Sequence, residues 1–338
     1  MFRSLVHASP RVRSAISGQN ASITACAATL PLDTTPSSLS SSTTTTTNAT
    51  RMRLGRRRWM SNAASTTPGS GPDEPRLLFT WGTNHKGSLL QDNIEDGKNS
   101  DVPKAVEDWR SLLLDGPDTP AVISDDTSIR DVVCGTKESA ILLSDGRCYV
   151  CGENKNGHLG LGHKNPVPKP TLLTLPPGEN NEPVTVQSIA LRSNFSAVID
   201  NRGDLYSFGY GGSTLGDGFG FLGHGDGESY LTPKLVESLV EDGCFAKKVQ
   251  VGTSHMTVLT TEGEVLTCGA GAFGRLGNLE THEDQLYLEP VEMLRSGVTD
   301  ISGGNSFTMA LKDDGVLYGW GKGDKGQLGT GFGLAVDM

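Results

Sequence analysis

Cys148-Tyr-Val-Cys151 is the pair in this 338-residue chain whose spacing comes nearest to a redox or metal motif. Paired thiolates do chemistry when both face one exposed pocket. Here the four residues form a β-type run, in which side chains three apart point to opposite faces. No second CxxC or His pair stands at zinc-site spacing, so the pair reads as structural. Gly321-Lys-Gly-Asp-Lys-Gly326 has the look of a phosphate cradle. It follows a strand but opens no helix, so the helix N-terminus that gives such loops their anion affinity is missing. His85, His158, His163, His224, His255 and His282 are dispersed and read as loop or core residues. No G-x-S-x-G elbow, H-E-x-x-H pair or Walker A loop occurs. The expectation is a protein that is not an enzyme, with no catalytic residue, no cofactor and no metal.

The elements that carry these residues repeat. Residues 145–162 read DGRCYVCGENKNGHLGLG and 314–331 read DGVLYGWGKGDKGQLGTG. Variants stand at 202–225 and 262–278, and a weaker copy, LFTWGTNHKGSLL, at 78–90. Each good copy has an apolar run, a polar-Gly pair (Asp145-Gly146, Arg202-Gly203, Glu262-Gly263, Asp314-Gly315) and a second run. That run ends in an aromatic or Cys before Gly. Two short apolar runs around an Asp-Gly type turn predict a hairpin. A glycine loop closing on Leu-Gly follows with one spacing in Gly152–Leu159, Gly269–Leu276 and Gly321–Leu328. A further short strand precedes each hairpin, as at Val132-Val-Cys-Gly135. Three to four short strands per unit is the content of one propeller blade. Glycine at the end of the second run fits blades that converge on a crowded axis. The fold class is therefore all-β, a β-propeller with five recognisable blade units over 77–338 and an insert at 91–131.

These units resemble the repeats of the regulator of chromosome condensation family, and Gly321-Lys-Gly-Asp-Lys-Gly-Gln-Leu-Gly329 comes close to that family's consensus. The resemblance implies a radial propeller with seven blades in a complete ring. At roughly 50 residues per unit seven blades need about 350 residues. The stretch 77–338 has room for about five, so the chain is expected to be incomplete at its C-terminus. The first copy departs from the pattern, with Leu90 where the closing Gly belongs.

The first 60 residues hold eight Arg, no Lys and one acid, Asp33; the rest of the chain carries a net charge of −17. An Arg-rich, Ser/Thr-rich, acid-poor start predicts a mitochondrial-type targeting segment, 1–60, disordered, followed by a linker at 61–76. Arg56-Arg-Arg-Trp-Met-Ser61 resembles a mitochondrial processing site. The competing destinations are the nucleus, with Arg51–Arg58 as a basic arm, and a plastid. Five scattered Cys in the remainder suit a reduced compartment. No run of about 20 apolar residues predicts a membrane span.

Function in a propeller lives on loops. The glycine loop of the third unit, from Gly209, is six residues longer than its counterparts and contains Tyr210, Asp217, Phe219, Phe221, His224 and Asp226. Aromatic anchors in a glycine-rich loop make it a candidate partner-binding element; the alternative is a longer solvent loop whose aromatics fold back on the core. The insert carries Val102, Ala105, Val106, Trp109, Leu112 and Leu113 at helical spacing, after Asp101 and Pro103, and predicts a short helix over 101–114. This helix either packs on the side of the propeller or presents Trp109 to a partner. Three roles compete: a mitochondrial interaction scaffold or regulator, a guanine-nucleotide exchange factor for a small or organellar GTPase, and a chromatin or RNA binder. The resemblance implies the exchange reading, since the family's founding member uses a protruding blade element to lever nucleotide from a small GTPase. It also implies a mitochondrial ribosomal or RNA-handling assembly as partner. An acidic propeller repels phosphates on average, so direct nucleic-acid binding would need Lys247, Lys248, Lys322 and Lys325 to form a local basic face.

Overall fold

In the second, third and fourth units the two middle strands are buried along their whole length rather than on alternate residues. Glu138–Leu143, Phe195–Asp200 and His255–Thr260 are buried at every position, as are Cys148–Gly152, Leu205–Gly209 and Val265–Gly269. Continuous burial means that both faces of each sheet are covered, which is how stacked blades differ from a half-solvated sheet. The computed structural model describes the backbone of 26–30 and residues 77–330, apart from 92–93, 107, 117–118, 179–181, 214–215, 217 and 279–281.

The third unit is a four-stranded antiparallel meander of Val186–Leu191, Phe195–Asp200, Leu205–Gly209 and Tyr230–Leu235. The fourth repeats it with Ala246–Val251, His255–Thr260, Val265–Gly269 and Gln285–Pro290. In the second, Ile129–Cys134, Glu138–Leu143, Cys148–Gly152 and Val167–Leu173 form the meander, and Leu114–Gly116 with Thr119–Pro120 extends its outer edge. The fifth shows Val298–Gly303, Phe307–Lys312 and Leu317–Gly321. First strands of successive units pack on one another, so they are the inner strands of a radial array.

Four apolar clusters form the core, and each is a layer between neighbouring units. Leu142, Cys148 and Val150 of the second unit meet Ile189, Val198 and Phe208 of the third. Ile199 and Phe221 of the third meet Val249, Met256 and Cys268 of the fourth. Leu259 and Val265 of the fourth meet Ile301, Ala310 and Trp320 of the fifth. Burying such side chains contributes about 1.5–3 kcal/mol each. Polar hooks run across the same boundaries. Ser139 Oγ donates to Ser88 O (2.8 Å), Ser196 Oγ to His158 O (2.7 Å) and Trp320 Nε1 to Arg275 O (3.0 Å). Each acceptor is the variable residue of a Gly-x-Leu closing sequence, so one unit's loop is held by a side chain of the next.

The glycine that ends the third strand has a more local cause than a crowded axis. Gly152 has φ +117°, and a Cβ there would lie 2.3 Å from Lys137 O, in the inner turn of its own unit. Gly269 has φ +111°, and its Cβ would lie 2.5 Å from Ser254 O. The inner turn of the same blade, rather than its neighbours, excludes a side chain.

The first unit departs from the sequence expectation. Asn99–Val106 is a strand, paired with Leu77–Thr83 (Phe79 opposite Ala105, Gly82 opposite Ser100), and only Arg110–Leu112 makes a turn of 3₁₀-helix. No α-helix spans 101–114. The outer edge of Leu77–Thr83 needs a hydrogen-bonding partner, and that demand overrides local helical spacing. Pro103 sits where the register slips, on an edge strand that can do without its N–H. Within 1–60, Cys26–Leu30 pairs with the other edge of Leu77–Thr83, Cys26 opposite Trp81. The rest of the expected targeting segment, the 61–76 linker and Asp217 lie outside the described residues.

Candidate functional site

Inner turns and glycine loops emerge at the same end of the strands and make one face. In the second unit the loop is tied inward. Asn154 accepts the Leu159 N–H (2.9 Å) and donates to His163 O (2.8 Å), while Asn156 donates to Ser193 O in the third unit (3.0 Å). His158 Nε2 lies 3.0 Å from Glu138 Oε1, and both side chains are fully buried. The other Glu138 oxygen accepts the Lys137 N–H (3.0 Å). Buried polar groups need such partners, and an internal pair of this kind is structural before it is functional.

The long loop of the third unit is folded back rather than held free. Gly212–Ser213 pairs with Gly218–Phe219 as a two-stranded ribbon. Asp284 of the fourth unit pins it, accepting the Phe219 N–H (3.1 Å) through one oxygen and the Gly271 N–H (2.9 Å) through the other. Phe221 is wholly buried, with Phe195 and Tyr210 each 5.9 Å from its ring. His224 Nε2 lies 3.0 Å from Ser207 Oγ and its ring abuts Tyr230 at 5.0 Å. Burial, with Lys234 nearby, pushes the His224 imidazole down to about 4, so it is neutral at pH 7. Asp226 accepts the Tyr230 hydroxyl (2.8 Å), and the Lys234 ammonium sits 4.1 Å above that ring.

The candidate residues are therefore only partly brought together. Tyr210, His224 and Asp226 gather around Phe221 and Tyr230, with Phe219 on the pinned ribbon. Phe221 itself fills the core and is not free to anchor a partner. Trp109 is 6% exposed, buried in the layer between first and second units under the Arg110 guanidinium (4.5 Å). It too is closed to a partner. Cys148 and Cys151 fall in different apolar layers, and burial pushes both thiols up to about 12, which makes them inert as nucleophiles at neutral pH. Lys247 and Lys248 do not join Lys322: Lys248 is ion-paired with Asp300, and Lys247 borders a 360 Å³ groove with Arg202 and Phe245 on the hairpin-turn side.

The fourth unit's loop carries residues that sequence reasoning passed over. Phe273 is 45% exposed and adopts the left-handed backbone, φ 65° and ψ 18°. Arg275 lies 5.4 Å and Lys322 of the fifth unit 4.9 Å from its ring. One unit back, Arg192 is half-buried, with Nε donating to Val251 O (3.3 Å). Its guanidinium is held below the usual range by burial, offset by Glu138. Between them His255 is 1% exposed, its Nε2 3.2 Å from Thr308 Oγ1; burial, then Arg275 and Arg192, pushes it down to about 3. The signal for Phe273 was its place in the repeat, where the other matching loops carry Asn156 and Lys325.

Antiparallel four-stranded sheets packed face to face around inner strands, each closed by a glycine loop, define a β-propeller of repeated blades. The chain belongs to the regulator of chromosome condensation (RCC1) repeat family, whose profiles match residues 145–199 and 262–311, and 298–327. The chain is 31% identical over 259 residues to the E3 ubiquitin-protein ligase HERC2 of Homo sapiens, covering 75% of this chain and 5% of that protein. It is 32% identical over 281 residues to the mitochondrial RCC1 domain-containing protein RUG3 of Arabidopsis thaliana, covering 80% of this chain and 59% of that one. The crystal structure of human WBSCR16 superposes with a TM-score of 0.57 at 22% identity, over 78% of this chain and 62% of that one. The chain thus spans less than two thirds of the length of these relatives.

Proposed function

We propose that this protein is a non-catalytic propeller that binds a protein partner through its loop face and acts as a scaffold or regulator in mitochondria. The observation that carries the reading is the third-unit loop. It is six residues longer than its counterparts, and of its described residues Gly212–Ser213 pairs with Gly218–Phe219 and Asp284 ties that pair to the neighbouring blade. An insertion that costs ordering entropy and is fixed on a propeller face fits a preorganised contact element. The mitochondrial placement rests on the Arg-rich 1–60 segment and on the name of the Arabidopsis relative. In this reading 1–60 is a removable targeting segment, 61–76 a linker and 77–338 the propeller repeats.

Guanine-nucleotide exchange is the second reading, supported by family membership. Exchange requires the propeller to bind a GTPase more tightly without nucleotide than with it, since only differential affinity moves the equilibrium. Capture on the immobilised full chain from mitochondrial extract separates the two. One sample is stripped of nucleotide by chelator and one is supplied with excess GTP and Mg²⁺. A GTPase retained only in the stripped sample supports exchange. Ribosomal or other assembly proteins retained in both support a scaffold. No specific retention in either overturns the interaction reading. Sequencing the N-terminus of the organellar protein tests the targeting segment, which the reading places upstream of Ser61.

A further inference from the structure

Phe273 breaks the pattern of its own loop. Left-handed backbone suits glycine and strains a residue with a side chain; Lys86 shares it at the matching place in the first unit's loop (φ 51°), so what sets Phe273 apart is the aromatic ring held there. The loop is rich in glycine, yet this position holds an aromatic ring that stays 45% exposed. Nearly half of the residue stays in solvent, so packing accounts for only part of its presence there. Two cations from different units flank it, Arg275 at 5.4 Å and Lys322 at 4.9 Å. Lys322 has one carboxylate near, Asp324 at 3.6 Å, both side chains being about 40% exposed, a weak surface pair. On the adjacent inner turn Arg192 is fixed by Val251 O through Nε, and its two terminal NH₂ groups have no partner among the described residues. A half-buried guanidinium with unpaired donors gains more from a carboxylate than a solvated one does.

Building on the interaction reading, we infer that Phe273, Lys322 and Arg192 form the contact patch for an acidic segment of the protein partner, with an apolar side chain of that segment seated on the Phe273 ring. Charge complementarity selects this occupant. The chain beyond residue 60 carries −17, so an acidic ligand is repelled on average and favours a place where cations converge. Phe and Arg are among the residues enriched in protein interfaces.

The probe is a fluorescein-labelled twelve-residue peptide of Glu and Asp with Leu at two central positions, titrated against the full chain by anisotropy. Controls replace every acid by its amide, or both Leu by Ser. Binding of the parent peptide, lost in both controls, is expected. Phe273→Gly and Lys322→Gln should each weaken it about tenfold, Arg192→Gln by a similar factor, and Lys247→Gln on the other side not at all. Phe273→Gly should melt no lower than the parent protein, because glycine takes this backbone freely. Failure of the parent peptide to bind, equal binding by all variants, or a lowered melting temperature for Phe273→Gly overturns the inference. Partner capture distinguishes it from the reading beneath it. A partner held equally by the parent and Phe273→Gly proteins leaves the interaction reading standing and sinks this patch. A partner held by neither sinks both.

Discussion

The loops Gly152–Leu159 and Gly269–Leu276 share one length and the same positive-φ glycines, Gly152 with Gly269 and Gly157 with Gly274, but they part at one backbone position, where Phe273 is left-handed and Asn156 is not, and in how they spend their side chains. In the second unit Asn154, Asn156 and His158 all turn inward, to Leu159, Ser193 and Glu138. In the fourth, Phe273 turns outward, with Lys322 4.9 Å from its ring, while Arg275 is buried and donates through Nε to Ala272 O (2.7 Å). The repeat thus sets the path of the chain through glycines at fixed spacing. The residues between the glycines are released from that task and can serve either cohesion or contact. A blade that knits itself to the next unit and a blade that offers a surface differ by three side chains rather than by fold.

The shared frame is the largest effect to test. Gly152→Ala and Gly269→Ala should each cost roughly 3 kcal/mol, because the new Cβ meets a backbone carbonyl and the backbone lies outside the region L-residues favour. Urea unfolding checks it, and a large difference between the two would break the claim that the frames are equivalent at these glycines. Next comes the inward loop. Glu138→Ala leaves buried His158 without its Nε2 partner and the Lys137 N–H unpaired, and should cost about 2–3 kcal/mol. Glu138→Gln, which keeps an acceptor, should cost less.

Acid sharpens the contrast between buried and exposed groups. Unfolded, His224 and His255 take up protons as pH falls below about 6.5. Folded, they stay neutral down to about 4 and about 3, chiefly through burial. The unfolded state therefore binds more protons in that window, so this contribution is complete above about pH 6.5 and is lost progressively toward about pH 4 for His224 and about pH 3 for His255. Urea midpoints should fall from pH 7 to pH 5, and His255→Gln should flatten the fall. The smallest effect belongs to the outward loop: Phe273→Gly should change stability by less than about 1 kcal/mol, toward greater stability, since it relieves the left-handed residue.

Much of the fold was legible because its cues are local. The polar-Gly pairs at 145–146, 202–203, 262–263 and 314–315 are hairpin turns, and each of these glycines has positive φ. The failures came where a neighbour decided. Val102 to Leu113 have helical spacing, but an unpaired strand edge drew 99–106 into a sheet. Phe221 and Trp109 looked like anchors because aromatic type says nothing of whether a second sheet covers it. Arg192 gave no signal: one arginine in Leu191-Arg-Ser-Asn-Phe195 becomes notable only when the next blade's Val251 holds it and leaves its terminal donors unpaired.

The sequence by itself determined the repeating unit, its turns and its loop length, because glycine placement and apolar runs act within about a dozen residues of one another. Tertiary structure alone decided which side chains became core, which loop closed on itself and which faced outward. Those outcomes depend on atoms supplied by the adjacent blade, roughly 40 to 65 residues away: Ser139 on Ser88, Ser196 on His158, Asp284 on Phe219 and Lys322 over Phe273.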